Sequence, residues 1–295
     1  MVGSKSPLNN LRSSDLPAFP LVAAQIVEQF RSGRPDTDKV LELAMLDPGM
    51  YGRVLGLAAS SAPLVPPMSL DDAVQVLGLP QVLRTVDRLA TESVLLATDD
   101  AVAQDLWRHA VTTACTARVL ASQLADLPGT WAYSAGLLHD LGRLPMYNLL
   151  QRDYLALYEE ALVAREPVVE AERRHLGTDH AEVGRALADQ LHLPSALVAA
   201  IWLHHRPLAE SGVHDKARQL AILVALADAL AHRLGGDLDF REPDLEHEGE
   251  LAELLGIPRK QLADIAEEAS RETHQAAARI TSSPVHYSTR LSPLV

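Results

Sequence analysis

Helix punctuation recurs along almost the whole chain, and it limits the fold more than any other feature. Asp47-Pro48 sets a capping acid before a proline at the first helical position. Ser69 precedes Leu70-Asp71-Asp72, a capping serine with acids in the first turn. Apolar residues return at helical spacing over 19–30, 37–45, 82–96, 100–127 and 131–150. They do so again over 153–165, 167–176, 179–191, 194–205, 216–234 and 257–280. No hairpin or βαβ signal interrupts this series, and no repeat of fixed period is visible. Phe 3, Trp 3 and Tyr 6 leave a core built from Leu, Ala and Val, which suits helices better than a β-sandwich. An all-α protein is expected.

Breaks in the pattern divide it. A loose tail is expected over 1–14, a first helical lobe over 15–98, and a helical core over 99–235. The segment 236–281 reads as an acidic, turn-rich loop, running over 235–250, and then an amphipathic helix from 257 to 280; 282–295 reads as a second disordered tail. The formal charge of -13 argues against generic binding to nucleic acid or an anionic membrane. Cys 1 excludes a disulfide framework and a cysteine zinc site. No apolar run is long enough for a membrane span and the start lacks a signal-peptide core, so a cytoplasmic protein is expected. Gly-rich phosphate loops and Ser-centred nucleophile elbows are missing from the sequence.

Chemistry is concentrated in polar residues set inside apolar runs. His139-Asp140 lies between Gly136-Leu137-Leu138 and Leu141, and Asp228 interrupts the run Ala221 to Ala231. An unpaired carboxylate there would cost several kcal/mol, of order 3–5 when a buried partner is removed. His204-His205 ends an apolar helix, His180 opens one after Asp179, and His109 follows Trp107-Arg108. Together these imidazoles and carboxylates are the donors a buried divalent-metal site needs, and a bridging Asp can hold two ions about 3.5–4 Å apart. Each has a plainer reading. His109 alone fits a hydrogen-bonded core histidine, His204-His205 a helix end favoured by the macrodipole, and Asp228 a cap or arginine partner. His175, His192, His214, His232, His247, His274 and His286 sit among polar neighbours and read as solvated surface. His139 and Asp140 are expected to project about 100° apart from one helix.

In this order His109, His139-Asp140 and Asp228 resemble the H…HD…D signature of the HD superfamily of metal phosphohydrolases. The wider pattern resembles the HDOD output domain of bacterial signalling proteins. It is carried by Leu16-Pro17, Leu46-Asp47-Pro48, Ala73 to Gly78, Ala135 to Arg143, Gly177 to Gly184 and His204-His205-Arg206-Pro207. That resemblance implies an N-terminal helical bundle packed on an HD-like helical core. It also implies one or two divalent ions (Fe, Mn, Zn, Ni or Mg). One would be held by His109, His139, Asp140 and Asp228, and a second by His180, His204 and His205 with Asp140 bridging. Arg143, four places after His139, would be a phosphate contact. Arg206-Pro207-Leu208 follows the double His in place of the Gly-Tyr-Pro of cyclic-dinucleotide phosphodiesterases, and Ala59-Ser60 replaces the Asn-Ser pair common in HDOD domains. The expected role is regulatory, with another signalling protein or a small nucleotide as partner. Metal-dependent hydrolysis of a nucleotide or cyclic nucleotide is the alternative.

Overall fold

The caps read in the sequence set the helix starts in the computed structural model, which describes residues 7–62, 64–94, 101–206, 215–234 and 244–281. Asp36 accepts hydrogen bonds from the backbone N–H groups of Asp38 and Lys39 and starts α2 (Thr37–Ala44). Asp47 accepts from Met50 N and starts α3 (Pro48–Ser61), and Ser69 accepts from Asp72 N at the start of α4 (Leu70–Leu77). With α1 (Pro20–Arg31) and α5 (Leu79–Val94) these helices make the first lobe. Asp47 also accepts from Phe19 N at 2.6 Å, which ties the chain entering α1 to the α3 cap.

The second lobe is built on α6 (Ala101–Ala121), which packs against α7 (Gly129–Leu138), α13 (Asp215–Leu234) and α15 (Leu262–Thr281). Around them run α8 (Arg143–Leu150), α9 (Arg152–Ala164), α10 (Val168–Leu176), α11 (His180–Gln190), α12 (Ser195–Leu203) and α14 (Leu245–Leu254). No strand occurs among the described residues, and no helix there is long and apolar enough to cross a membrane. One apolar core runs from Leu8 to Ile280 through both lobes. Polar pins cross between them: Trp107 Nε1 donates to Leu46 O at 2.7 Å, Tyr133 Oη donates to Met45 O at 3.0 Å, and Tyr51 Oη meets Ser134 Oγ at 2.6 Å.

Three local expectations need correction. The stretch 131–150 is two helices rather than one, with His139 to Gly142 forming a turn between α7 and α8. His139 and Asp140 therefore leave a bend, not a regular helix. The reason is contact: a Cβ on Gly142 would sit 2.1 Å from His180 O, so the backbone turns there to reach α11. Residues 245–250, read as part of an acidic loop, belong to the helix Leu245–Leu254, because Asp244 caps it at His247 N and it buries Leu251 and Ala252 against the core. Residues 7–14, read as loose, are anchored. Leu8 is buried, Ser13 N donates to Gln190 Oε1 at 2.9 Å, and Gln190 Nε2 donates to Leu11 O at 3.2 Å. The break at 98–100, the loop 235–243, the outer tails 1–6 and 282–295, His214 and His286 lie outside the described residues.

Candidate metal centre

Four core helices and one turn bring the expected donors to a single place. His109 comes from α6, His139 and Asp140 from the α7–α8 turn, and His180 from the first residue of α11. His204 and His205 follow the end of α12, and Asp228 comes from the middle of α13. They fall into two groups, Asp140 with His180, His204 and His205, and His109 with His139 and Asp228. Within each group the donor atoms all lie within 4.8 Å of one another. All seven side chains are at most 7% exposed.

Asp140 faces both groups. Its Oδ1 lies 3.2 Å from His180 Nε2 and 3.6 Å from His204 Nε2. Its Oδ2 lies 3.4 Å from His139 Nε2 and 3.7 Å from His109 Nε2. Asp228 Oδ1 lies 3.0 Å from His109 Nε2 and 3.6 Å from His139 Nε2. Metal bonds of about 2.1 Å put neighbouring ligand atoms about 3.0 Å apart in an octahedron and about 3.4 Å apart in a tetrahedron. The observed separations cluster around those two values.

The imidazoles are turned to present lone pairs. Nδ1 of His139 is 2.7 Å from Gly136 O, and Nδ1 of His204 is 2.8 Å from Ile201 O. A carbonyl can only accept, so both rings carry the proton on Nδ1 and leave Nε2 free to ligate. His180 does the same against Glu172 Oε2 at 2.6 Å. Both Asp140 oxygens and the Nε2 atoms of His180 and His204 are buried without a well-formed hydrogen bond, although they face one another. That is the signature of atoms aimed at a shared guest, and the donor set fits one or two borderline divalent ions.

Charge follows geometry. Burial raises the Asp140 carboxyl, but Arg143 and then His139, His180 and His204 outweigh it and hold the group well below the usual carboxylate range. Asp228 is likewise raised by burial and pulled well below that range by His232, His109 and His139. Burial pushes the His204 imidazole down to about 4, against the pull of Asp140. An imidazole that resists protonation makes folding sensitive to acid. Its unfolded counterpart takes a proton near pH 6.5 and the folded one near 4, so stability present above pH 6.5 is lost as pH falls through that window. The expected slope is about 1.4 kcal/mol per pH unit in metal-free protein. Urea midpoints between pH 7 and 4.5 measure it. His204→Gln should flatten the slope, and an unaltered slope in that variant would refute the assignment.

Arg143 and His232 have partners that the sequence did not show. Arg143 is 2% exposed and already engaged: Nε is 3.0 Å from Asp140 Oδ2, and a terminal nitrogen donates to Tyr158 Oη at 2.9 Å. It braces the Asp140 carboxylate. His232, read as surface, is buried in the site; its Nε2 is 3.1 Å from Asp228 Oδ1 and its ring stacks on His109 with centroids 4.7 Å apart. The sequence signal was its place four residues after Asp228, on the same helix face. Glu172, fully buried beside His180, also escaped the sequence reading.

An all-helical bundle that gathers His and Asp side chains from its core helices into one buried cluster is a domain of the HD type. The chain belongs to the HDOD domain family, whose model matches residues 16–207. It is 26% identical over 235 residues to an uncharacterized protein of Treponema pallidum (strain Nichols), covering 78% of this chain but only 45% of that relative's length. Among solved structures it is similar to the MmoQ response regulator of Methylococcus capsulatus str. Bath, with 24% identity, a TM-score of 0.66, and coverage of 85% of this chain and 97% of that one. A putative phosphohydrolase of Shewanella amazonensis SB2B is similar at 24% identity and a TM-score of 0.50, covering 95% and 99% of the two chains. These structural likenesses bear on the fold.

Proposed function

We propose that this protein is an HDOD-type signal-transduction module whose buried centre holds one or two divalent ions and whose helical surfaces contact a partner signalling protein. A bound ion would neutralise the clustered carboxylates and cross-link α6, α11, α13 and the α7–α8 turn. The observation that carries a regulatory rather than catalytic reading is access. Asp140 and Arg143 border a cavity of about 20 Å³ that Pro17, Phe19 and Gly49 of the first lobe also line. That space holds about one water and no nucleotide. The Methylococcus response regulator, similar in fold, supports the same reading.

A second reading, hydrolysis of a nucleotide or cyclic nucleotide, is favoured by the full donor set and by Arg143 at the cavity wall, where it could meet a phosphate once the lobes part. The fold of the Shewanella putative phosphohydrolase agrees with it. Metal analysis of protein purified without added ions, followed by phosphodiesterase and nucleotidase assays after loading, separates the two. Bound metal without turnover is expected. Metal-dependent turnover that disappears in His139→Ala/Asp140→Ala would replace the regulatory reading by the enzymatic one.

A further inference from the structure

Glu172 is a carboxylate with no exposure to solvent, and it belongs to neither donor group. Burying such a charge costs several kcal/mol unless every oxygen is well partnered, so its partners define its task. Its Oε2 accepts the backbone N–H of His180 at 2.9 Å and the Nδ1 proton of the same residue at 2.6 Å. Its Oε1 accepts the hydroxyl of Tyr154. Both oxygens are thus occupied on the side of the imidazole remote from Asp140. Burial and the nearby Glu172 push the Tyr154 phenol well above its ordinary value, so the hydroxyl remains a donor.

The imidazoles of the centre are held in two different ways. Backbone carbonyls of Gly136 and Ile201 hold Nδ1 of His139 and His204, whereas a full negative charge holds that of His180. A carboxylate behind an imidazole fixes the tautomer as a carbonyl does, and in addition makes the far nitrogen a stronger donor. We propose that Glu172 is the positioning residue of the half formed by Asp140, His180, His204 and His205, with Tyr154 holding Glu172 in register. This inference rests on the metal-binding reading given above. It explains a buried charge that a purely helical brace would not need.

The test compares wild type, Glu172→Gln and Tyr154→Phe in metal-free protein and during zinc titration. Glutamine keeps the size and can still accept the His180 backbone N–H, but it removes the charge behind Nδ1. Wild type is expected to show His180 with Nδ1 protonated in ¹⁵N spectra and to take up two zinc equivalents. Glu172→Gln should keep the Nδ1-protonated tautomer, as the carbonyls do for His139 and His204, and weaken one equivalent by about 10–100-fold while sparing the other. Tyr154→Phe should weaken the same equivalent by a smaller factor, and it carries the test should the glutamine variant not fold. Unchanged zinc affinities in both variants would overturn the proposal, since a mere structural brace between α10 and α11 would shift the melting temperature only. Failure of wild type to bind zinc would instead refute the metal reading; in that case His180 ¹⁵N shifts that are the same in metal-free wild type and Glu172→Gln would overturn the role given to Glu172, and a difference between them would uphold it.

Discussion

Asp140→Ala is expected to abolish high-affinity metal binding in both halves of the centre, whereas Asp228→Ala should remove only the half that contains His109 and His139. The difference follows from where the oxygens point. Asp140 sends Oδ1 toward His180 and His204 and Oδ2 toward His139 and His109, while Asp228 Oδ1 lies near His109 and His139. Loss of a bridging ligand should exceed the roughly 10–100-fold effect of changing an outer partner. Stability should fall as well. Arg143 is almost fully buried and has its Nε 3.0 Å from the carboxylate that the substitution deletes. Stranding such a charge costs about 3–5 kcal/mol, although the Tyr158 hydroxyl stays with it. Metal content per chain and urea midpoints of the metal-free proteins check the two parts separately. An Asp140→Ala protein that keeps one equivalent at wild-type affinity would show that the carboxylate does not bridge.

Most of this site could be read before any coordinate was known, and the reason is contrast. His139, Asp140 and Asp228 stand out because their neighbours are Leu, Ala and Gly, so a polar side chain there must face another buried polar group. Glu172 and His232 lack that contrast. Glu172 lies in Glu170-Ala171-Glu172-Arg173-Arg174, where it looks like one more surface acid. Only its alignment with Val168 and Ala171 on the buried face of α10 sets it apart. His232 is flanked by Arg233 and becomes buried because α13 lies against α6, which brings it over His109. Both depend on tertiary packing that no local window contains. The same holds for α14, whose first turn is acidic and whose burial comes from contact with α13.

The bend at 139–142 shows the converse, a feature written in one residue whose meaning appears only in space. In the sequence Gly142 continues an apolar helical run, and glycine inside a helix usually costs about 1 kcal/mol relative to alanine. In the fold it is where the α7–α8 turn touches α11. A Cβ there would lie 2.1 Å from His180 O, 2.8 Å from Gly184 N and 3.0 Å from His180 C, all backbone atoms that cannot swing aside. Gly142→Ala is therefore expected to push α11 away from the turn, at or above the upper end of the roughly 1–3 kcal/mol typical of overpacking. The same shift would carry His180 off Asp140, from which its Nε2 now stands 3.2 Å. Zinc affinity of the half containing His180 should drop along with the melting temperature. Gly184→Ala is the internal control: its nearest obstacle is Ile201 Cγ2 at 2.9 Å, the end of a side chain that can rotate, with Gly142 N at 3.2 Å behind it. Its loss should be clearly smaller. Equal destabilisation by the two substitutions would mean that helix packing in general, rather than the close approach of Gly142 to His180, sets the geometry of the centre.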